Sequence, residues 1–213
     1  MRLEFLGVSG VGKTYVATHY SRQLQDNGDN VSWFWKERFA DKGWVRRNID
    51  KLFAVTKTAF LSPKWSWELY SYLKSKELKD NVGKMRLLFN GFFLKYAINL
   101  MKDYQGIALF DEGVAQYILA VHLRSPQHPS HEEIHRVMRL FGYPQKIIVV
   151  DASTQTIAYR LNSRGRRAEI LKASDQMAEI ERMKTILETT VSALSEIPNI
   201  QIERINNHEN SVQ

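Results

Sequence analysis

The chain of 213 residues is 44% hydrophobic and 25% charged and carries a formal net charge of +7, a composition typical of one soluble globular domain that binds anionic partners. It has no cysteine, which excludes disulfides and thiolate metal sites, and no uncharged run approaches the roughly 20 residues that cross a bilayer. Because a glycine-rich loop begins at position 7, we expect no signal peptide and a cytoplasmic location.

The first 35 residues predict a strand, a phosphate-binding loop, a helix and a second strand. Residues 3–6 are apolar apart from Glu4, residues 14–26 are helical in pattern, and residues 31–35 are mostly β-branched and aromatic. Between strand and helix, GVSGVGKT matches G-x-x-x-x-G-K-T, whose backbone N–H groups surround a polyphosphate. We expect Lys13 to reach the phosphates of ATP and Thr14 to ligate Mg²⁺. The predicted nucleotide-binding residues of this loop are Gly7, Ser9, Gly10, Val11, Gly12, Lys13, Thr14 and Tyr15.

Residues 36–104 carry no strand signal and predict a helical insertion, with helices over 47–61, 64–79 and 81–102. Between Lys36 and Lys64, eight basic residues oppose three acids, which favours an anionic ligand but is also the pattern of a solvated basic face. The nine aromatic residues between Trp33 and Trp67 have three interpretations: core packing, a pocket for a stacked base or sugar, and a surface that contacts a membrane.

The remainder of the chain alternates strands with helices. Strands are predicted over 107–111, 146–150 and 200–205, and helices over 114–123, 131–141, 154–162 and 175–195. With the first two strands, this order predicts a single α/β domain with a doubly wound, five-stranded parallel sheet. Ligands of such sheets bind beyond the carboxyl ends of the strands, where the loop, Asp111 and Asp151 are expected to meet.

Three acids are candidates for catalysis. Asp111 ends an apolar strand and is placed to hold Mg²⁺ together with Thr14, and Glu112 beside it is placed to accept the proton of an acceptor hydroxyl. Glu37 stands among basic residues just after the second strand, where it either orients the acceptor or forms a surface ion pair. The alternative for Asp111 and Glu112 is that one of them caps the next helix.

A run of arginines follows the helix over 154–162. Arg160 and Arg164 are one helical turn apart, and Arg166 and Arg167 come next in a turn. Guanidinium groups suit the charge of a transferring phosphoryl group, so we expect Arg164, Arg166 and Arg167 to be catalytic arginines of a lid over 164–175 that excludes water on closing. A solvated surface is the alternative.

Three segments together resemble the nucleoside and nucleotide kinase branch of the phosphate-loop proteins, closest to the thymidylate kinase and deoxynucleoside kinase group: GVSGVGKT, FDEG after the middle strand, and the run from Lys146 to Arg167. The resemblance covers residues 1–35, 105–120 and 145–205. It implies that Arg160 lies near the adenine or its phosphates and that Asn206, with its neighbour, flanks the base. The sequence departs from this family after Asp111, where an acceptor-binding arginine is usual; Arg46 or Arg47 is a candidate replacement.

We therefore predict an ATP- and Mg²⁺-dependent kinase whose insertion 36–104 binds a small-molecule acceptor, either a nucleoside or nucleotide or a sugar-type metabolite. The main alternative is a nucleotide-dependent switch or a nucleic-acid-associated ATPase, although we do not expect nucleic acid as a partner. A zinc hydrolase is suggested by the H-E-x-x-H pattern at His131 and His135, but Ser130 and Glu133 predict a capping box there instead. The sequence leaves open whether the chain forms a homodimer and whether it contacts a membrane peripherally.

Overall fold

The computed structural model of the protein describes residues 1–34, 37, 43–78, 80–163 and 175–207, with the backbone alone at 44, 45 and 47. Its strands are β1 (Arg2–Leu6), β2 (Val31–Trp33), β3 (Ile107–Phe110), β4 (Lys146–Asp151) and β5 (Gln201–Asn206). The helices described are α1 (Lys13–Asp26), α2 (Trp44–Leu61), α3 (Pro63–Lys74), α4 (Asn81–Leu100), α5 (Val114–Leu123), α6 (His131–Phe141), α7 (Thr154–Ser163) and α8 (Gln176–Ser195).

The five strands form one sheet in the order β2-β3-β1-β4-β5, with every neighbouring pair parallel. The central strand β1 pairs with β3 on one side and with β4 on the other. Consecutive residues of β4, from Ile147 to Val150, are all buried, so the sheet is covered on both faces. This is the predicted doubly wound α/β sheet, and it places the turns after β1 and β3 side by side at its carboxyl edge.

Helices α2, α3 and α4 make up the described part of the insertion. Helix α4 begins at Asn81, and the Asp80 carboxylate at its N-cap accepts a hydrogen bond from the Gly83 N–H. Helix α3 was predicted to reach residue 79 but ends at Lys74. In the turn that follows, Lys76 is almost fully buried and forms an ion pair with Glu133 of α6. This tertiary contact ends the helix earlier than the local sequence pattern predicts.

Three further boundaries differ from prediction by more than one residue. Helix α2 begins at Trp44 instead of residue 47, helix α4 ends at Leu100 instead of residue 102, and β2 ends at Trp33, while Trp35 lies outside the described residues. Ser62 occupies the N-cap position of α3 with Pro63 in the first turn, but its side chain makes no capping hydrogen bond. Within the described ranges, none of the helices combines the length and hydropathy required to traverse a lipid bilayer.

Candidate active site

The loop between β1 and α1 has the backbone that a phosphate-binding loop requires. Gly10 and Gly12 have φ angles of 89° and 91°, in the left-handed region that residues with a side chain rarely adopt. Helix α1 begins at Lys13, so its N-terminal N–H groups face the loop. The Lys13 ammonium group lies across the loop and donates to the carbonyl oxygens of Gly7 at 2.7 Å and Val8 at 3.4 Å.

Side chains from three other elements hold the loop in place. Arg160 of α7 and Asn207, just past β5, both donate to the Val11 carbonyl oxygen, each at 2.9 Å, and Arg160 also donates to the Asn207 carbonyl. A methyl group on Gly12 would strike the Asn207 amide, so Asn207 fixes the identity of the glycine as well as the position of Val11. On the opposite side, the Gln116 amide oxygen of α5 accepts a hydrogen bond from the Gly7 N–H at 3.2 Å.

Asp111 and Glu112 follow β3 directly and lie at the same sheet edge as the loop, because β3 pairs with β1. The Trp33 indole N–H, at the end of the neighbouring strand β2, donates to Asp111 Oδ1 at 3.2 Å and orients that carboxylate. The alternative that one of these acids caps α5 is wrong, because Gly113 is the N-cap residue and makes no side-chain cap.

The cap of α5 comes instead from Glu4, a fully buried acid in the centre of β1. Its Oε2 accepts a hydrogen bond from the Ala115 N–H at 3.0 Å, and its Oε1 lies 3.1 Å from Arg2 Nε. Gly113 packs directly against the Glu4 side chain, where a Cβ would lie 2.5 Å from Glu4 Cγ. The turn that carries Asp111 and Glu112 is therefore anchored by a carboxylate from the first strand.

Glu112 has a pKa raised above the 4.5 of a free glutamate. Burial is the main cause and the negative charge of Asp111 adds to it, while the positive charges of Lys13 and Lys51 partly offset both. The side chain still reaches solvent, because it opens into a cavity. An acid with a raised pKa beside a cationic loop and in a cleft is a common arrangement for a catalytic proton acceptor.

The cavity has a volume of about 450 Å³ and lies between the insertion and the β3–α5 turn. Its wall combines the two acids with three kinds of group that bind a polar organic molecule: cations, amides and aromatic rings. The Lys51 ammonium lies 5.5 Å from the ring centre of Phe93, a cation–π contact that holds this lysine at the wall. The cavity is lined by Lys51, Arg86, Leu87, Asn90, Phe93, Leu94, Asp111, Glu112, Gly113, Gln116, Tyr117, Ala120 and Arg124.

Asp111 and Glu112 line this cavity, whereas the Glu37 side chain points toward strand β2. The Glu37 carboxylate accepts hydrogen bonds from the Ser32 hydroxyl at 2.6 Å and from the Trp33 N–H at 2.8 Å. Asp151, the other strand-terminal acid, lies 3.1 Å from Lys184 of α8 and accepts a hydrogen bond from the Ala152 N–H. The acid predicted at the end of β4 therefore serves an ion pair between sheet and helix.

The remaining predicted nucleotide-binding residues lie on the open side of the loop. Ser9, Thr14 and Tyr15 are exposed, and the Tyr15 ring stacks on His19 one turn along α1. Asn206 is the last residue of β5 and is exposed, next to the loop-binding Asn207. The described residues do not include the predicted lid arginines Arg164, Arg166 and Arg167, the lid as far as residue 174, or the side chain of Arg47. Arg46 is described; it is exposed and does not line the cavity.

The capping-box prediction at Ser130 is confirmed, with reciprocal hydrogen bonds between Ser130 and Glu133 at the start of α6. His131 Nδ1 lies 2.7 Å from Glu196, and His135 Nε2 lies 2.6 Å from the Ala193 carbonyl, so both imidazoles bind α8 and the residue that follows it. The described part of the chain holds no cluster of three or more histidine, cysteine or carboxylate residues that suits a metal ion. These contacts favour the capping interpretation of the H-E-x-x-H pattern.

Sequence reasoning missed the contact of Gln116 with the loop and most of the residues that line the cavity. Gln116 is a single amide with no motif around it, whereas Arg160 and Asn207, which the resemblance places near the nucleotide, contact the loop itself. Arg86 and Asn90 lie on a helix whose apolar spacing alone was informative. Arg124 is the first arginine after Asp111 in the sequence, and the structure places it in the cavity wall. Spacing from Glu112 could have found Arg124, since both ends of the ten-residue helix α5 contribute to the same wall.

No protein-family model matches the chain, and no curated protein matches its sequence. Solved structures do match its fold. Deoxyadenosine kinase from M. mycoides with bound dATP is 13% identical and aligns with a TM-score of 0.54 over 97% of this chain and 91% of that one. The same enzyme with products dCMP and a flexible dCDP bound is 15% identical, with a TM-score of 0.53 over 96% and 90%. Thymidylate kinase from Ehrlichia chaffeensis is 13% identical, with a TM-score of 0.50 over 100% and 89%. The fold resemblance to this group of kinases is thereby confirmed.

Proposed function

We propose that the protein is a kinase that transfers the γ-phosphate of ATP to a nucleoside or a nucleotide bound in the 450 Å³ cavity. The observation that carries this proposal is the junction of two features at one sheet edge. The phosphate-binding loop and its Lys13 adjoin the cavity through Asp111, Glu112 and Gln116. The shared fold with deoxyadenosine and thymidylate kinases supports the same conclusion.

The donor side uses the backbone of the loop and its lysine. The N–H groups at the start of α1 and the Lys13 ammonium would bind the β- and γ-phosphates, with the lysine leaving its contacts to Gly7 and Val8 to do so. Arg160 and Asn207 act here by fixing the Val11 carbonyl, which keeps the loop curled before the nucleotide arrives. Arg164, Arg166 and Arg167 remain predicted lid arginines.

The residues present fit Mg²⁺, which prefers oxygen ligands and retains several waters. The Thr14 hydroxyl lies on the exposed side of the loop, and the Asp111 carboxylate lies at the end of the adjacent strand, oriented by Trp33. These two residues would hold the ion, which neutralises phosphate charge when bound. The role of the protein is to keep the two oxygen donors on one edge.

Glu112 is the proposed acceptor of the proton from the attacking hydroxyl. Its raised pKa brings it closer to neutral pH than an ordinary glutamate, and it lies on the cavity wall, whereas the Glu37 carboxylate is engaged by Ser32 and Trp33. Asp111 is less suited to this step because its carboxylate already accepts the Trp33 indole N–H and is the proposed Mg²⁺ ligand.

Three cations in the wall favour an acceptor that is itself anionic or densely hydroxylated. Lys51, Arg86 and Arg124 surround the cavity, while Asn90 offers both hydrogen-bond donors and acceptors and Phe93 and Tyr117 offer ring surfaces. A purine or pyrimidine with a sugar and one phosphate combines all of these features. Sugar phosphates satisfy the cations but leave the two aromatic rings without a partner.

An acceptor screen tests the proposal. ADP release is measured with ATP and Mg²⁺ against nucleosides, nucleoside monophosphates, sugars and sugar phosphates, with Lys13→Ala as the inactive control. We expect one nucleoside or nucleoside monophosphate to raise ADP release at least about 100-fold over background, since positioning and charge stabilisation together contribute that much or more. Acceptor-independent turnover that DNA or RNA stimulates would instead support the nucleic-acid-associated ATPase.

Two substitutions then separate the acceptor classes. For a monophosphate acceptor, Arg124→Ala or Arg86→Ala should raise the acceptor KM by about tenfold or more, because a charge-assisted contact to phosphate is lost. For an uncharged nucleoside, the same substitutions should change the KM much less. Neither variant should alter the KM for ATP.

A further inference from the structure

Helix α2 carries large hydrophobic side chains on the face that points away from the protein. Ile49, Leu52, Phe53 and Phe60 are between 57% and 86% exposed, and their spacing places them on one side of the helix along about 16 Å. The opposite side packs inward with small residues, Ala54 and Thr58, which are almost fully buried. The outward side of this helix is therefore the more hydrophobic of the two, which reverses the usual amphipathic pattern.

We call the side formed by Ile49, Leu52, Phe53 and Phe60 the outer face of α2. Hydrophobic exposure continues where α2 meets α3, because Leu61 is 71% and Trp67 is 68% exposed. Contiguous exposed patches of this kind mark an interaction surface in a stable protein. The cavity wall lies on the other side of the same helix, at Lys51, so the outer face is not part of the proposed acceptor site.

Basic residues accompany this face. Lys57 is exposed and lies one turn from both Phe53 and Phe60, and Arg46 is exposed two turns before Phe53. Between residues 44 and 100 there are eleven lysines and arginines and four acids, a net charge of +7 that equals the net charge of the whole chain. The rest of the protein is thus neutral overall, and its positive charge is concentrated in the segment that carries the outer face.

This charge selects the partner. A second copy of the chain in a two-fold dimer would place the outer face against itself, so Arg46 and Lys57 beside this face would approach the same cations of the other copy, and like charges repel. An anionic bilayer surface satisfies both properties at once, because its headgroups attract the lysines and arginines while aromatic and aliphatic side chains enter the headgroup boundary. Exposed tryptophan and phenylalanine beside lysine are the usual composition of such interfacial helices.

We propose that the outer face of α2 docks the protein on the surface of an anionic lipid bilayer. The helix lies in the plane of the headgroups with Phe53 and Phe60 inserted and Lys57 and Arg46 at the level of the phosphates. Attachment is reversible and depends on salt, because it combines a small apolar area with a few charges.

Co-sedimentation of the 213-residue chain with vesicles tests this proposal. We expect binding to phosphatidylcholine vesicles that contain phosphatidylserine and at least about tenfold weaker binding to phosphatidylcholine alone, from two or more cations each contributing about fivefold. Raising NaCl from about 0.1 M to about 1 M, which shortens the Debye length from about 10 Å to about 3 Å, should release the protein.

Two variants and one control assign the binding to the outer face. Phe53→Ser with Phe60→Ser should weaken binding to the anionic vesicles at least about tenfold, and Arg46→Glu with Lys57→Glu should abolish the dependence on phosphatidylserine. Tyr143→Ser removes an exposed aromatic residue outside the insertion and should bind as the wild type does. Unchanged circular dichroism and Tm show that the substitutions leave the fold intact.

Three results would overturn the proposal. The wild type does not sediment with anionic vesicles, the phenylalanine variant binds as tightly as the wild type, or analytical ultracentrifugation finds a dimer that this variant converts to monomer. In the last case the outer face is covered by a second copy in spite of its charge.

Discussion

Substitution of Gly113 by alanine provides a quantitative test of how the turn that carries Asp111 and Glu112 is anchored. Gly113 has φ −90°, which alanine adopts freely, so the cost of Gly113→Ala must come from contacts alone. The new Cβ would lie 2.5 Å from Glu4 Cγ, about 1 Å closer than ordinary van der Waals contact. Glu4 is fully buried and held by Arg2 and Ala115, so it cannot move aside without losing one of these partners.

We expect Gly113→Ala to lower the free energy of unfolding by about 3 kcal/mol, of which overpacking contributes about 1–3 and the broken Glu4 contact a comparable amount. For a chain of this size that corresponds to a Tm lower by about 6–12 °C. The assay is equilibrium unfolding in urea followed by tryptophan fluorescence. Gly43→Ala is the matched control, because a Cβ at that exposed glycine meets no atom of the described residues within 4 Å and should leave the Tm nearly unchanged.

A double-mutant cycle identifies the source of the penalty. In a Glu4→Ala background the side chain that Gly113→Ala strikes is gone, so the second substitution should cost less than about 1 kcal/mol. In a Glu4→Gln background, where the volume is kept, the full penalty should remain. An equal loss of stability from Gly113→Ala in the wild-type and Glu4→Ala backgrounds would refute the reasoning. Because the same turn carries Asp111 and Glu112, kcat should fall together with stability.

Three further predictions concern single side chains. Asn207→Ala removes one of two hydrogen bonds to the Val11 carbonyl and should raise the KM for ATP about fivefold, measured by initial rates. The folded pKa of Glu112 is raised, so its ionisation destabilises the fold as pH rises above about 4.5; Glu112→Gln should therefore raise the Tm near neutral pH, and the gain should vanish on acidification. Burial and the positive charge of Lys76 lower the pKa of His122 from 6.5 to about 4. The free energy of unfolding should therefore fall by up to about 3 kcal/mol as the pH drops from 6.5 to about 4, because the unfolded chain binds this proton first. His122→Leu should reduce that dependence on pH, measured by urea unfolding at several pH values.

The order and type of the elements could be predicted because each depends on local pattern. The apolar strand at 146–150, the capping box at Ser130 and the loop at 7–14 are each encoded within a few neighbouring residues, and all appear where expected. Helix α3 shows where this local information ends. Its last turn is replaced by a turn that buries Lys76 against Glu133, a partner 57 residues away that no periodicity can reveal.

The candidate site likewise has one part that local sequence predicts and one part that it does not. The donor half is a contiguous motif, whereas the cavity is assembled from Lys51 on α2, Arg86 and Phe93 on α4, and Arg124 after α5. These residues are far apart in sequence, and each looks like an ordinary surface cation or core aromatic by itself. Glu4 was hidden for the opposite reason, because a single acid within an apolar strand does not disturb the strand pattern.

The hydrogen bond from the Gly7 N–H to Gln116 directly connects the phosphate-binding loop with the wall of the cavity. Gln116 lines the proposed acceptor cavity, yet its amide oxygen already accepts the Gly7 N–H, the first of the phosphate-binding loop. An acceptor molecule that takes this oxygen competes directly with Gly7, and a nucleotide that reorients Gly7 frees the amide for the acceptor. On this proposal, each substrate changes the affinity of the protein for the other substrate by the same factor, because one coupling free energy links the two binding events. This hydrogen bond would then help to determine the order in which the substrates bind.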